Sequence, residues 1–584
     1  MIFSTFHIFL LVCVIILRLL VALHPHSGQD NYHGSKTSYG GDYEAQRHWM
    51  ELTLHVPLRE WYTHDVQYWG LDYPPLTAYV SYLCGYVSHS LVGAESVALY
   101  TSRYGTLETP TLLYTDTTYT NIRSIQYTHK AFMRLTVVFL EIVIFFTIVV
   151  ILAKRLSVIT TITTTNRIMF RFILLSTLMQ PSLILIDHGH FQYNNVCLGL
   201  SLWAIHYMTQ SMTQFYPSCL MGSIFFCLAL NFKQMTLYYA PAIFFYLLGR
   251  CFNHPIRHVG LVNNRPLSFY VQTLTISMKR IFMLGISVLF TFFILWYPFV
   301  YYRDSSTTTV VESIFTIVQR LFPFQRGMFE GKVANIWCTL SIRPISIRSR
   351  IPTQYQPLAA LIVTSILIVP FCIVLFYLGL SVPLIEQPTN TTNLSRQHVK
   401  TLLWGCTGTA LSFFLASFQV HEKSILLAMT PASLFICEYP SFILWLSGVA
   451  VWSMWHLLNV DRLSIAYSAC GLLFYVILLP VLQLEKIENR PRQTDIWNVL
   501  GSYASFGRRW MYMIFISTII LMILLHVAEL VYIPPSHMPD LFPMIWSITG
   551  CAMFCISWII TFLCCYQSMN EARRLSSITR DKID

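Results

Sequence analysis

Fourteen apolar runs, most of them near the roughly 20 residues that carry a helix across a hydrocarbon layer, divide this chain of 584 residues from end to end. They lie at 3–23, 132–153, 168–186, 194–209, 217–231, 235–250, 281–301, 357–380, 400–418, 424–437, 440–457, 463–482, 511–533 and 543–565. Backbone N–H and C=O groups find no water in lipid, so spanning segments must satisfy each other, and runs of this length do so as helices. Only 11% of the residues are charged, against about 25% in a soluble domain. That is too few to cover a water-facing globule, and the expected fold is an all-α polytopic membrane protein. The first run lacks a basic flank and a small-residue cleavage site, so it reads as an uncleaved span and not as a signal peptide.

A formal net charge of +11 would point to nucleic acid in a soluble chain, but in a membrane protein Lys and Arg gather in cytoplasmic loops. Nucleic acid is therefore excluded as a partner. With both termini in the cytoplasm, the cytoplasmic connections and tail hold twenty Lys and Arg, from Lys154 and Arg155 to Arg580 and Lys582. The other side holds six in the long connection 24–131 and seven in 302–356, among them Arg326, Lys332, Arg343, Arg348 and Arg350. The second connection breaks the rule, either because a span there is miscounted or because it stays on the far side to bind an anion. The expected organisation is an N-terminal transmembrane module, 1–302, carrying a functional connection at 24–131; a basic non-cytoplasmic loop, 303–356; and a C-terminal transmembrane module, 357–584. The Thr/Tyr-rich stretch 101–130 reads as a mobile insertion. Fifteen cysteines without a CxxC pair give no disulfide framework; Cys84 and Cys338 fall in polar connections, and one bridge between them stays open.

Polar motifs cluster on the non-cytoplasmic side. In Gly41-Asp42-Tyr43-Glu44-Ala45-Gln46-Arg47-His48, the apolar positions Ala45, Trp49, Leu52 and Val56 follow helical spacing, so a short amphipathic helix starts near Asp42. Asp42 is then either an N-cap or a general base for a substrate hydroxyl, with Glu44 as a supporting ligand. Tyr68, Trp69, Asp72 and Tyr73 precede Pro74-Pro75; they form either an interfacial aromatic belt or a platform for a sugar ring. In Asp187-His188-Gly189-His190-Phe191-Gln192-Tyr193-Asn194, two histidines beside an Asp are weak evidence for a metal, and a polar helix end is the plainer reading. Lys233-Gln234 and His421-Glu422-Lys423 sit between closely spaced apolar runs, where ionisable groups mark function unless they only snorkel to the interface.

With these motifs the chain resembles the dolichyl-phosphate-glucose-dependent α-1,3-glucosyltransferases of the endoplasmic reticulum. The resemblance is carried by GDYEAQRHWMELT from Gly41, YWGLDYPPLTAY from Tyr68, DHGHFQYN from Asp187, LNFKQMTLYYAP from Leu230, RLFPFQRGMFEGKVANIWC from Arg320 and VHEKSIL from Val420. Within that family, EAQRHW and the Lys-Gln-Met stretch favour the members that add the first glucose to the lipid-linked Man9GlcNAc2 oligosaccharide over the sister that adds the second. The resemblance implies a GT-C-type bundle of about 14 transmembrane helices with a lumenal active site. It also implies inverting transfer from a β-linked dolichyl phosphate donor, with Asp42 as base.

The substrate site is then expected to use Glu44, Arg47, His48, Tyr68, Trp69, Asp72, Tyr73, His188, His190, Gln192, Tyr193, Lys233 and Gln234. Arg326, Lys332, His421 and Lys423 are expected at the donor phosphate. The partners implied are dolichyl phosphate glucose, the lipid-linked acceptor and the bilayer, with no cofactor or metal and a monomeric chain. The chemistry agrees: one displacement at an anomeric carbon requires one base and no protein nucleophile, and a phosphate leaving group requires cations and no general acid. A transporter or flippase, and a noncatalytic scaffold, remain as rival classes. Transporters usually show internal repeats and midplane charges, whereas these motifs gather at one face. Asn390 and Asn393 head glycosylation sequons that this topology puts in the cytoplasm, so mass spectrometry of the native protein will find both unmodified; a glycan on either reverses the orientation.

Overall fold

The computed structural model describes residues 5–23, 41–99, 116–158, 163–212, 214–253, 267–302, 309–322, 333–342, 345–381, 388–482 and 504–581. Every regular element among them is helical. Nine helices are long and apolar enough to cross a bilayer: Thr5–Ala22, Thr128–Ser157, Thr164–Phe191, Phe215–Phe232, Tyr270–Tyr301, Thr353–Leu380, Asn393–Ala416, Met511–Val531 and Leu541–Ser576. The other five expected spans are helical as well but shorter, Asn194–Gln210, Ala240–Phe252, Leu426–Ser433, Pro440–Ser453 and Ser464–Leu478, with 8 to 17 residues each. Polar residues and prolines break them. Lys233-Gln234 interrupts one continuous apolar stretch and His421-Glu422-Lys423 another, and irregular backbone of this kind survives at membrane depth only where protein or a cavity covers it.

Burial orders the bundle. Asn393–Ala416 is 89% buried and forms its centre, whereas Tyr270–Tyr301 is only 6% buried and turns Phe282, Leu289, Phe290 and Phe293 outward, as a helix facing lipid must. Asn393–Ala416 packs against Leu541–Ser576, Thr353–Leu380 and Asn194–Gln210, so the N- and C-terminal parts of the chain share one core. Polar side chains collect at the two ends. At one end Arg155 donates to Thr209 Oγ1 (3.1 Å) and to the Ser395 carbonyl (3.1 Å), and Arg250 donates to the Met212 carbonyl (3.0 Å). At the other end lie Asp42, Gln192, Lys233 and Lys423.

The two long connections meet at that second end. Within 302–356, which was expected to be a basic loop, Val310–Leu321 is a helix with a Thr309–Glu312 capping box. Arg320, in its last turn, donates to the Gly70 carbonyl at 3.0 Å, tying this segment to the first connection. Trp337 does the same for the central helix by donating to the Ala416 carbonyl at 2.7 Å. Of the stretch expected to be a mobile insertion, 101–115 lies outside the described residues, while 116–130 is the start of helix Asp116–Leu140. None of the fifteen cysteines forms a disulfide among the described residues, Cys84 and Cys338 included.

Two π-helical turns, Glu141–Phe146 and Leu185–Phe191, lie side by side where the polar motif at 187–194 begins. Such turns widen a helix by one residue and redirect its side chains. Glu141, fully buried, binds Arg18 at 2.7 Å and His188 at 2.8 Å, so the first helix is pinned to both turns by one carboxylate. Arg18→Met should strand that carboxylate and cost about 3–5 kcal/mol, read as a lower thermal midpoint of the detergent-solubilised protein; the double variant Arg18→Met/Glu141→Gln should recover part of the loss. An unchanged midpoint in the single variant would contradict the pairing.

Candidate active site

Helix Gly41–His55 places the first catalytic candidate. Gly41 has φ of 36°, a left-handed conformation that glycine adopts without steric cost, and it turns the chain directly into the helix. One face of the helix, Ala45, Trp49, Leu52 and Val56, packs on Trp61, Tyr62, Leu71 and Phe299, as the sequence spacing predicts. The opposite face, with Glu44, Arg47 and His48 expected at the substrate, is buried as well. Arg47, fully buried, holds Glu44 (2.8 Å from Nε) and Glu51 (2.7 Å from Nη1), and His48 Nδ1 lies 2.6 Å from Glu51. Each buried charge there has a partner of opposite sign, which is the condition for tolerating it. Burial alone would raise Glu51, but Arg47 and His48 overcome it and hold its carboxyl down to about 2.

Asp42, at the exposed start of that helix, does not cap it. Its Oδ2 accepts from Lys423 Nζ and Gln192 Nε2 and lies 2.7 Å from His190 Nε2. Burial would raise the Asp42 carboxyl; the Lys423 ammonium and the His190 ring outweigh it and hold the group well below the usual carboxylate range. All three partners converge on Oδ2. Among the described residues Oδ1 accepts no hydrogen bond, and the side chain keeps 24% of its surface exposed. The group is therefore an ionised carboxylate with one oxygen occupied and, among the described residues, the other without a hydrogen-bond donor.

Gln192 is aimed by a chain of hydrogen bonds. Asp187, fully buried, accepts from Asn194 Nδ2 and from the Asn195 backbone N–H, both at 2.7 Å, and so caps helix Asn194–Gln210. Asn194 Oδ1 accepts from Lys233 Nζ at 2.6 Å; Lys233 also donates to Gln192 Oε1 at 2.7 Å, which leaves the Gln192 amide N–H for Asp42. Tyr73 donates to the same Gln192 oxygen at 3.2 Å and lays its ring 5.0 Å from Lys233 Nζ. Burial first, and the Lys423 charge second, push Lys233 down to about 8. Between His190 and Gln192, Phe191 has φ of 73°, a strained value of the kind that persists where the surroundings enforce it, and it turns both neighbours toward Asp42.

Of the expected substrate residues, the structure thus brings His190, Gln192, Lys233 and Tyr73 to Asp42, and places the others elsewhere. Glu44, Arg47 and His48 are interior supports, and Tyr68 joins them by donating to Glu44 Oε1 at 2.6 Å. Trp69 offers its carbonyl to Trp49 Nε1 at 2.8 Å and packs its ring beside the same cluster, and the Asp72 carbonyl accepts from Gln234 Nε2 at 3.2 Å. His188 faces Glu141 and Tyr193 contacts Thr136 at 2.7 Å. Lys423, expected at the donor phosphate, reaches Asp42 itself; His421 is exposed two residues away. Arg326 and Lys332 lie outside the described residues. Sequence reading missed Asp461, whose Oδ2 is 2.5 Å from His190 Nδ1, and Glu141. Glu141 carried a usable signal, an acid inside an apolar span; Asp461, a lone acid in a short connection, carried none.

Among the described residues, the chain is thus a membrane-type helical bundle that holds one carboxylate among cations at its polar end. The model of the ALG6, ALG8 glycosyltransferase family matches residues 14–561. Among curated proteins, the chain is 36% identical over 546 residues to the chicken dolichyl pyrophosphate Man9GlcNAc2 alpha-1,3-glucosyltransferase, covering 92% of each chain. It is 34% identical to the protein of that name from mouse over 552 residues, again 92% of each, and 32% identical to that of Saccharomyces cerevisiae over 575, 96% of this chain and 92% of the relative. The chain belongs to the ALG6, ALG8 glycosyltransferase family.

The buried ion network on helix Gly41–His55 predicts a pH-dependent stability. A carboxyl whose folded value is depressed contributes stability above its unfolded value, near 4.5, and loses it as pH falls toward about 2. Glu51→Gln should therefore lower the thermal midpoint at pH 7, and the gap to the parent protein should narrow on acidification below about pH 4.5. A gap that is constant with pH would show that Glu51 is not held by charge.

Proposed function

We propose that the protein transfers glucose from dolichyl phosphate glucose to the lipid-linked Man9GlcNAc2 oligosaccharide, forming an α-1,3 linkage. It does so on the lumenal side of the endoplasmic-reticulum membrane, with both termini in the cytoplasm. The observation that carries the reading is the asymmetry of Asp42, whose Oδ2 takes Lys423, His190 and Gln192 while Oδ1 accepts from no described residue. The names of the relatives, all of which specify Man9GlcNAc2, favour this acceptor over the once-glucosylated one.

In the transfer, the acceptor hydroxyl hydrogen-bonds to Asp42 Oδ1 and attacks the anomeric carbon from the face opposite the phosphate. The new C–O bond forms as the bond from that carbon to the phosphate oxygen breaks; the hydroxyl proton passes to Oδ1, and dolichyl phosphate departs with one more negative charge. A β-linked donor gives an α product because there is a single displacement. A carboxylate held below its usual range is fully ionised at neutral pH, and it takes the proton late, once the attacking oxygen has become acidic. The exposed His421, and Arg326 and Lys332 of the basic connection, are the groups for the growing phosphate charge, and Lys423 holds the base with N–H groups to spare for the same anion.

Purified protein in detergent, given dolichyl phosphate glucose and the lipid-linked acceptor, should produce one new α-1,3-linked glucose. Asp42→Asn should bind donor as the parent does and show a rate at least about 100-fold lower, the scale of a lost general base. Substantial turnover by that variant would remove Asp42 as base, and absence of product with the parent protein would favour the transporter reading.

A further inference from the structure

Behind Asp42 stands a second carboxylate that no part of the transfer has yet used. His190 lies between two acids: Nε2 is 2.7 Å from Asp42 Oδ2 and Nδ1 is 2.5 Å from Asp461 Oδ2. Each ring nitrogen therefore faces an acceptor oxygen. With both acids ionised, a ring with N–H on both sides satisfies both contacts, whereas a neutral ring would aim a lone pair at one carboxylate. Asp461 is almost inaccessible, its side chain 2% exposed, and no described contact joins it to Asp42 directly.

The turn that carries Asp461 is fitted to the histidine turn by shape as well as charge. Helix Trp455–Val460 ends there, Arg462 takes φ of 59°, and Leu463 N–H closes back on the Leu458 carbonyl at 2.8 Å. Leu463 then sits on Gly189, so closely that a Cβ on Gly189 would lie 2.8 Å from Leu463 Cδ1. An alanine at 189 would require the end of the Leu463 side chain to shift, so the two turns are in direct contact beside the Asp461–His190 pair. The charges facing the pair are Asp42 and Lys423, with Lys233 one hydrogen-bonded residue further.

We infer that Asp461 is a positioning residue for glucosyl transfer: it fixes the His190 ring as a doubly donating cation, and that ring holds Asp42 Oδ2 so that Oδ1 meets the acceptor hydroxyl. The inference rests on the reading of Asp42 as base. Asp461 touches no substrate, so its loss should slow the chemical step and leave binding intact. A misplaced base typically costs up to about 100-fold in rate.

The test is steady-state kinetics of the full chain in detergent with donor and acceptor both varied. Asp461→Asn should lower kcat about 10- to 100-fold with both KM values unchanged, and Asp461→Glu should restore most of it. Asp461→Asn added to His190→Gln should cost nothing beyond His190→Gln alone, because both act through one contact. Asp461→Ser, which removes the carboxylate and keeps a small polar group, should reproduce the kcat loss and serves if Asp461→Asn does not fold. Parent-like kcat in Asp461→Asn or in Asp461→Ser, a loss confined to KM, or losses that multiply in the double variant would overturn the inference. Turnover by Asp42→Asn would instead overturn the reading it rests on; an inactive Asp42→Asn beside an unimpaired Asp461→Asn sinks only the inference.

Discussion

The carboxylate of Asp42 and the donors on its Oδ2 are the interaction from which the rest of the arrangement follows. A carboxylate withdrawn from water is costly unless opposite charge and hydrogen bonds replace its hydration. Here the replacements come from far along the chain: Gln192 is 150 residues away and Lys423 is 381. No local segment can make the site. It exists only once the first connection, the π turn at Leu185–Phe191 and the break before Leu426–Ser433 have been brought together by the packing of Asn393–Ala416 at the centre of the bundle. The broken helices thus have a use, since each break supplies one cation or amide at the same level.

The same cluster reconciles two demands that conflict in a single carboxylate. A base must be ionised before substrate arrives, which favours a low pKa, and must still accept a proton in the transition state. Lys423 and His190 secure the first demand. The second is met by the substrate, because bond formation at the anomeric carbon makes the attacking hydroxyl acidic. On the proposed reading, cations around the base also lie in the field of the departing phosphate, whose charge grows as the proton moves to Asp42, so that one set of positive groups would serve both ends of the displacement.

Much of the fold was legible because hydrophobic length is a direct physical signal: all nine long spans fall on predicted runs. The five shorter helices were legible as apolar segments, three of them already as runs of 16 residues or fewer; where each one breaks was not legible, since a Lys or His inside an apolar stretch does not announce it. Asp42 was legible through its motif and its place at a helix start. Its neighbours were not sorted correctly, because Glu44, Arg47 and His48 look alike in sequence whether they face a substrate or one another. Only the packed helix shows them buried and mutually paired. The Asp461 contact lies 271 residues from His190 and no pattern links the two. It depends on a turn geometry and on the close approach of Leu463 to Gly189.

The account is tested most directly by a structure of the complex with a non-transferable donor analogue and the lipid-linked acceptor. The reactive acceptor hydroxyl should lie about 2.6–3.2 Å from Asp42 Oδ1, with Oδ2 still bound by Lys423 and His190 and the anomeric carbon in line beyond it. A hydroxyl seated against another carboxylate, or an Asp42 turned away from both substrates, would contradict it.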